Sequence, residues 1–229
     1  MKAWQVPELG EPRDVLTLAE VPDPEPGSGQ VLVRVLGAAT NFPDVLMCRG
    51  IYQVRPPLPY TPGIELCGEV LAAGPDVTGV APGDRLVGAP VGGAFAELAL
   101  MNAASALPAP DGLDDAEAAA FFVTYQTGWF GLHRRARLAA GETLLVHAAA
   151  GGVGSGAVQL GKAAGARVIG VAGGERKAEA ARALGADVVI DRNSQDFVEV
   201  VKEVTEGRGA DVVYDPVDEI GRASCRERV

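Results

Sequence analysis

One stretch constrains what can form around it more than any other: Thr143-Leu144-Leu145-Val146-His147-Ala148-Ala149-Ala150-Gly151-Gly152-Val153-Gly154-Ser155-Gly156-Ala157-Val158-Gln159-Leu160. A short apolar run passes into small residues, then into an Ala-rich amphipathic segment that ends at Gly165. That order reads as strand, tight turn, helix. Ala149-x-Gly151-x-x-Gly154 fits the G-x-G-x-x-G dinucleotide pattern with Ala in the first glycine slot. Small residues are needed here for three physical reasons. The turn must be tight, the backbone must approach a pyrophosphate, and the helix must pack close on the strand. Free N–H groups and the dipole at the helix start favour phosphate there. Ala149, Gly151, Gly152, Val153 and Gly154 are therefore candidate cofactor-binding residues.

A lone glycine turn is weak, because any close strand–helix junction uses glycine. Here the context repeats. Ala166 to Val171 reads as a second buried strand, Glu175 to Leu184 as a helix stopped by Gly185, and Asp187 to Ile190 as a third strand. Ser194 is placed to cap a further helix with Phe197, Val200, Val201 and Val204 on one face and Gly207 past its end. Asp211 to Tyr214 begins a fourth strand. Strands alternating with helices predict an α/β fold with a doubly wound parallel sheet.

The residues before about Ala120 read differently. Gln30 to Gly37, Glu65 to Leu71 and Asp84 to Val87 are strands punctuated by frequent glycines, which predicts a small, partly open β-barrel. One helix interrupts it, from Asn41 or Phe42 to a stop at Gly50. Asp114-Asp115-Ala116-Glu117 has the form of a capping box leading into a helix over Ala118 to His133. The expected division is residues 1–120 and 121–218. The last residues, 219–229, fit neither pattern and match a translated sequencing-adapter read; the natural coding sequence is expected to break off near Val217 or Asp218.

With 229 residues, 48% hydrophobic but 5% aromatic, the core must be built mostly of Ala, Val and Leu. A formal charge of −10 argues against nucleic acid or an acidic membrane as partner. No apolar run is long enough to span a bilayer and the N-terminus lacks a signal-peptide pattern, so a cytoplasmic location is expected. The basic run His133-Arg134-Arg135-Ala136-Arg137 reads as a solvated helix end. Cys48, Cys67 and Cys225, with His133 and His147, are too few and too scattered for a metal site or disulfide framework.

The layout and several words resemble the medium-chain dehydrogenase/reductase superfamily, in its zinc-independent quinone oxidoreductase (zeta-crystallin-like) branch. Those words are Asn41-Phe42-Pro43-Asp44, Arg49-Gly50-Ile51-Tyr52, Pro62 to Val70, Gly83 to Gly88, Gly93 to Glu97 and His147 to Gly154. The resemblance implies a GroES-like, partly open barrel followed by an incomplete Rossmann domain, and a homodimer in the full-length form. Zinc-dependent members carry Cys where this chain has Asn41 and His where it has Ile64; neither residue here suits zinc, so no metal is expected.

By the same resemblance Asn41 and Tyr52 line the cleft beneath a nicotinamide, with Asn41 offering an amide N–H to a developing oxyanion, and Thr127 meets the nicotinamide end. Each also has a bland reading: helix cap, loop-packing aromatic, and a hydroxyl bonded to its own helix. Asp44 reads equally as a helix-dipole acid, and Glu65 as a structural charge partner. NAD-preferring folds place an acid at the end of the second strand. This chain has Ala172-Gly173-Gly174 there, with Lys177 and Arg192 nearby, so Gly173, Lys177 and Arg192 are expected to bind NADP(H) through its 2′-phosphate. The expected reaction is reduction of a small quinone or enone by NADPH. Alternatives are an enoyl thioester reductase, and a crystallin-like or RNA-associated nucleotide-binding protein with little catalysis.

Overall fold

The computed structural model describes residues 1–217; the expected foreign tail, 219–229, lies outside the described residues. The chain forms two compact units, Met1–Val123 and Thr124 onward.

In the first unit β1 (Lys2–Gln5), α1 (Pro12–Val15) and β2 (Thr17–Glu20) precede β3 (Gln30–Ala38) and α2 (Phe42–Cys48). β4 (Leu66–Ala73), β5 (Arg85–Gly88), β6 (Pro90–Val91), β7 (Leu98–Asn102), β8 (Leu107–Pro108) and α3 (Asp115–Ala119) follow. β1 and β2 pair with each other, and the other six strands form one antiparallel sheet in the order β6-β7-β3-β4-β5-β8. The β3–β4 ladder shifts register between Leu32 and Val33 and again between Val35 and Gly37. Such irregularities bend and twist a strand, and the sheet curls into a half-barrel. Alternation does the rest: Val31 and Val33 point inward onto Leu66, Val70, Leu86, Ala99 and Met101.

The helix expected over Ala118 to His133 is broken. The Asp114–Glu117 capping box forms, with Glu117 N–H donating to Asp114 at 2.8 Å and Asp114 N–H to Glu117 at 3.1 Å. But α3 stops at Ala119, a new helix α4 runs over Phe121–Trp129, and Phe130–Arg135 is wound more loosely as a π-helix. The buried Glu65 carboxylate accepts the Val123 N–H at 2.7 Å, giving the first turn of α4 its own acceptor and fixing the restart.

The second unit holds β9 (Thr143–Val146), α5 (Gly152–Ala163), β10 (Arg167–Ala172), α6 (Glu175–Ala183), β11 (Val188–Asp191), α7 (Phe197–Val204) and β12 (Val212–Tyr214). Its four strands are parallel, in the order β11-β10-β9-β12. All four residues of β9 are buried, and apolar clusters cover both faces of the sheet. The strand order reverses beside β9, which in such sheets opens a crevice at the carboxyl ends of the strands.

One detail departs from expectation. α7 is capped by Asp196, whose carboxylate accepts from Val198 N–H at 2.8 Å, and not by Ser194. Ser194 and Gln195 both donate their N–H to the Asp191 carbonyl, so Ser194 belongs to the turn before the helix. Asp196→Ala should therefore lower stability by about 1 kcal/mol and Ser194→Ala by less than about 0.5 kcal/mol, measured by urea unfolding. Among the described residues no helix is long and apolar enough to cross a membrane.

Candidate functional site

The carboxyl end of β9 runs into a turn closed by Gly151 N–H on the Ala148 carbonyl at 2.7 Å, with Ala148 itself at φ +47°. Gly151 is the N-cap of α5. The second turn of the site lies between β10 and α6, the third between β11 and α7. Asp191 stitches these two together: its carboxylate accepts Gly174 N–H at 2.8 Å and Asn193 N–H at 3.0 Å, and those bonds hold its pKa below the ordinary value. Arg192 N–H in turn donates to the Ala172 carbonyl at 2.9 Å. Arg192 is thereby set against Gly173, where a Cβ would lie 3.3 Å from its Nε.

The result is a crevice of about 350 Å³ whose lining includes Ala148, Ala150, Gly151, Gly173, Lys177, Arg192 and Asn193. It unites four of the residues expected from sequence: Gly151, Gly173, Lys177 and Arg192. Two cations stand on its wall, and no acidic side chain lines it among the described residues. The remaining expected residues sit elsewhere. Ala149 is fully buried, with its methyl packed against Gly170, so it supports the turn from behind. Gly152, Val153 and Gly154 form the first turn of α5 beside the crevice, and a Cβ on Gly154 would fall 2.1 Å from the Ala148 oxygen. Sequence reasoning missed Asp191 and Asn193; their signal was Asp-Arg-Asn at the end of a strand, a common turn composition.

In the first unit the expected residues surround α2. Asn41 caps it, and Asp44 in its first turn is 5% exposed. The Asp44 carboxylate accepts the main-chain N–H of Asn41 at 2.8 Å and of Gly63 at 3.1 Å. The Asn41 Nδ2 donates to Glu65 Oε1 at 2.8 Å and lies 3.4 Å from the Ala39 carbonyl. Glu65, 1% exposed, takes its partners from N–H groups and has no cation beside it among the described residues. Burial pushes the pKa of both carboxylic acids up, opposed by these N–H donors. Tyr52 is half-buried and packs on the cluster of Val6, Val15, Met47, Cys48 and Tyr60. Thr127 lies exposed on α4, in the second unit.

Cys48 and Cys67 are buried thiols, and Cys225 lies outside the described residues. Among the described residues no three His, Cys, Asp or Glu side chains gather so as to hold a metal. The basic run ends the π-helix, with Arg134 over the Trp129 ring at 5.9 Å and Arg135 over Phe130 at 6.0 Å.

Residues 27–111 match the family described as alcohol dehydrogenase GroES-like domain, and residues 152–221 that described as zinc-binding dehydrogenase. A probable oxidoreductase from Mycobacterium abscessus superposes with a TM-score of 0.91 at 39% identity, over 98% of this chain and 72% of that one. The chain belongs to the medium-chain dehydrogenase/reductase superfamily. Its first unit is the GroES-like half-barrel of that superfamily and its second the Rossmann-like sheet. Two further similarities frame the chemistry. Escherichia coli quinone oxidoreductase, solved in complex with NADPH, superposes at TM-score 0.86 and 34% identity over 94% of this chain and 66% of that one. Phthioceranic/hydroxyphthioceranic acid synthase of Mycobacterium tuberculosis is 39% identical over 193 residues, 84% of this chain but 9% of the synthase. The chain thus spans a small part of that curated relative.

Proposed function

We propose that this superfamily member carries out NADPH-dependent, zinc-independent reduction of quinones or other conjugated carbonyls. The observation that carries the cofactor choice is the crevice wall, where Lys177 and Arg192 face a glycine turn with no acidic lining residue. A ribose 2′-phosphate suits two cations, and an acid there would repel it. Gly151, Gly152, Val153 and Gly154 bring the amide-rich start of α5 to the pyrophosphate, Ala149 backs the turn, and Gly173 keeps the ribose wall open. NADPH, when bound, supplies the hydride.

What remains for the protein is to orient the acceptor. With Ile64 and Asn41 where a metal-dependent member carries His and Cys, these positions offer no Lewis acid, so the acceptor must bring its own electron demand. Quinones and enones do so, because charge entering the carbonyl spreads into the conjugated system. In the first unit Asn41 and Tyr52 are the side chains assigned to the acceptor, and in the second unit Thr127 is the one assigned to the nicotinamide, by hydrogen bonding and contact.

A second reading, reduction of an enoyl thioester, is favoured by the similarity to a segment of the mycobacterial synthase. Steady-state oxidation of NADPH and NADH with a quinone, an enone and an enoyl thioester separates them. Turnover with NADPH and the quinone or enone, at kcat/KM at least about tenfold above that with the thioester, is the expected result. Faster thioester turnover would install the second reading; tight NADPH binding with no turnover of any acceptor would reduce the protein to a nucleotide binder.

A further inference from the structure

Asn41 is gripped at two places by two different buried carboxylates. Asp44 holds its main-chain N–H, and also the N–H of Gly63; Glu65 holds its side-chain amide, and also the N–H of Val123. Among the described residues the two acids are met by N–H donors and by no cation, so each buried charge depends on those donors. This arrangement dictates which way the Asn41 amide faces. A carboxylate oxygen only accepts, so the atom 2.8 Å from Glu65 Oε1 must be the nitrogen; an amide oxygen there would set two acceptors against each other. Turning the amide over would also strip a buried carboxylate of one of its donors, which is strongly unfavourable.

We infer that Glu65 is a positioning residue for the reaction: its buried carboxylate fixes the Asn41 amide so that Oδ1, which faces the Asp44 N–H in the capping box of α2 and keeps a second lone pair, is the atom with capacity left for a ligand, and not Nδ2. This assignment rests on the hydride-transfer reading above. Asn41 then meets a donor, a carboxamide N–H or a hydroxyl, and not a developing oxyanion. Such a contact orients the ligand before hydride moves and leaves stabilisation of negative charge to other groups. Glu65 reaches the reaction through Asn41, and its second bond, to Val123 N–H, anchors it to the start of α4 so that the carboxylate itself cannot rotate away.

Glu65→Gln separates these functions. Glutamine has one acceptor oxygen where the carboxylate offers two, one facing the Asn41 amide and the other the main-chain N–H groups of Val123 and Phe122 at the start of α4. With that oxygen on Val123 N–H, its NH₂ faces Asn41 and turns Oδ1 inward, reversing the amide. The side-chain amide pair of Asn41 can be followed in ¹⁵N-labelled protein, assigned by its loss in Asn41→Ser. The wild-type pair should show one proton shifted downfield and exchanging at least about tenfold more slowly than solvent-exposed Asn amides. In E65Q that signature should disappear, while kcat with a quinone falls roughly tenfold to hundredfold, the range that misplaced reacting groups give. The dissociation constant for NADPH should stay within about twofold.

Free exchange of the wild-type Asn41 amide would overturn the inference without any variant, so poor folding of E65Q leaves it exposed to test. Unchanged kcat in E65Q, with the amide signature lost, would overturn it as well. Wild-type protein that turns over no acceptor, yet shows the protected amide, would instead bring down the hydride-transfer reading and the catalytic part of this inference with it.

Discussion

Gly154→Ala should melt the second unit at least about 10 °C below the wild type and weaken NADPH binding by about a hundredfold or more. The added methyl would sit 2.1 Å from the Ala148 oxygen, 2.8 Å from its carbonyl carbon and 3.2 Å from the Ala149 Cα. All three are backbone atoms, so no flexible side chain can give way. Ala148 is already at φ +47°, which leaves the turn little room to retreat. Overpacking of this kind costs about 1–3 kcal/mol when neighbours can adjust, and the rigid backbone places Gly154 at the upper end. For a unit of about 100 residues, each 1 kcal/mol moves the midpoint by roughly 4–8 °C. The same displacement moves the start of α5 away from the phosphate it is proposed to hold, and a hundredfold loss in affinity corresponds to about 2.8 kcal/mol. Gly152→Ala is the control, because a Cβ there meets nothing within 4 Å; it should stay within about 0.5 kcal/mol of the wild type. Calorimetry with and without NADPH reads both effects. A Gly154→Ala protein melting within about 2 °C of the wild type would mean that the turn is not packed as tightly as described.

That turn was legible in the sequence because its causes are local. A four-residue apolar strand, three small residues and an Ala-rich amphipathic helix each leave a mark within a few positions, and the alternation that follows carries the parallel sheet. The errors have distant causes. The helix expected from Ala118 to His133 breaks at Ala120 and restarts at Phe121, and the acceptor for the Val123 N–H in that new first turn is Glu65, 58 residues earlier. The carboxylate that takes the Asn41 amide was equally unreadable, since Glu65 lies 24 residues further on. Periodicity carries no information about such pairs. Ser194 and Asp196 were a closer contest: both are good caps, and the turn that Asp191 closes with Ser194 and Gln195 moves the helix start forward to Asp196. Within the crevice the cations Lys177 and Arg192 could be named in advance, but Asp191, which places Arg192, was hidden because its bonds run to main-chain N–H groups.

The double variant K177A/R192A should lower NADPH affinity by about a hundredfold and leave NADH within about twofold. Both side chains stand on the crevice wall, and both are exposed, so water and salt weaken each contact. A hydrogen bond to a charged group contributes about 1.5–3 kcal/mol, and the exposed setting favours the lower figure for each cation. Two such losses together give about 3 kcal/mol, slightly above a hundredfold. NADH lacks the phosphate these cations are proposed to meet, so it registers only what they do for the rest of the nucleotide. Salt supplies an independent check: wild-type affinity for NADPH should fall as ionic strength rises, and that dependence should flatten in the double variant. Fluorescence titration with both nucleotides at two salt concentrations measures all of this. Equal losses for NADPH and NADH would assign Lys177 and Arg192 to the pyrophosphate or to the loop itself, and the basis for preferring NADPH would be gone.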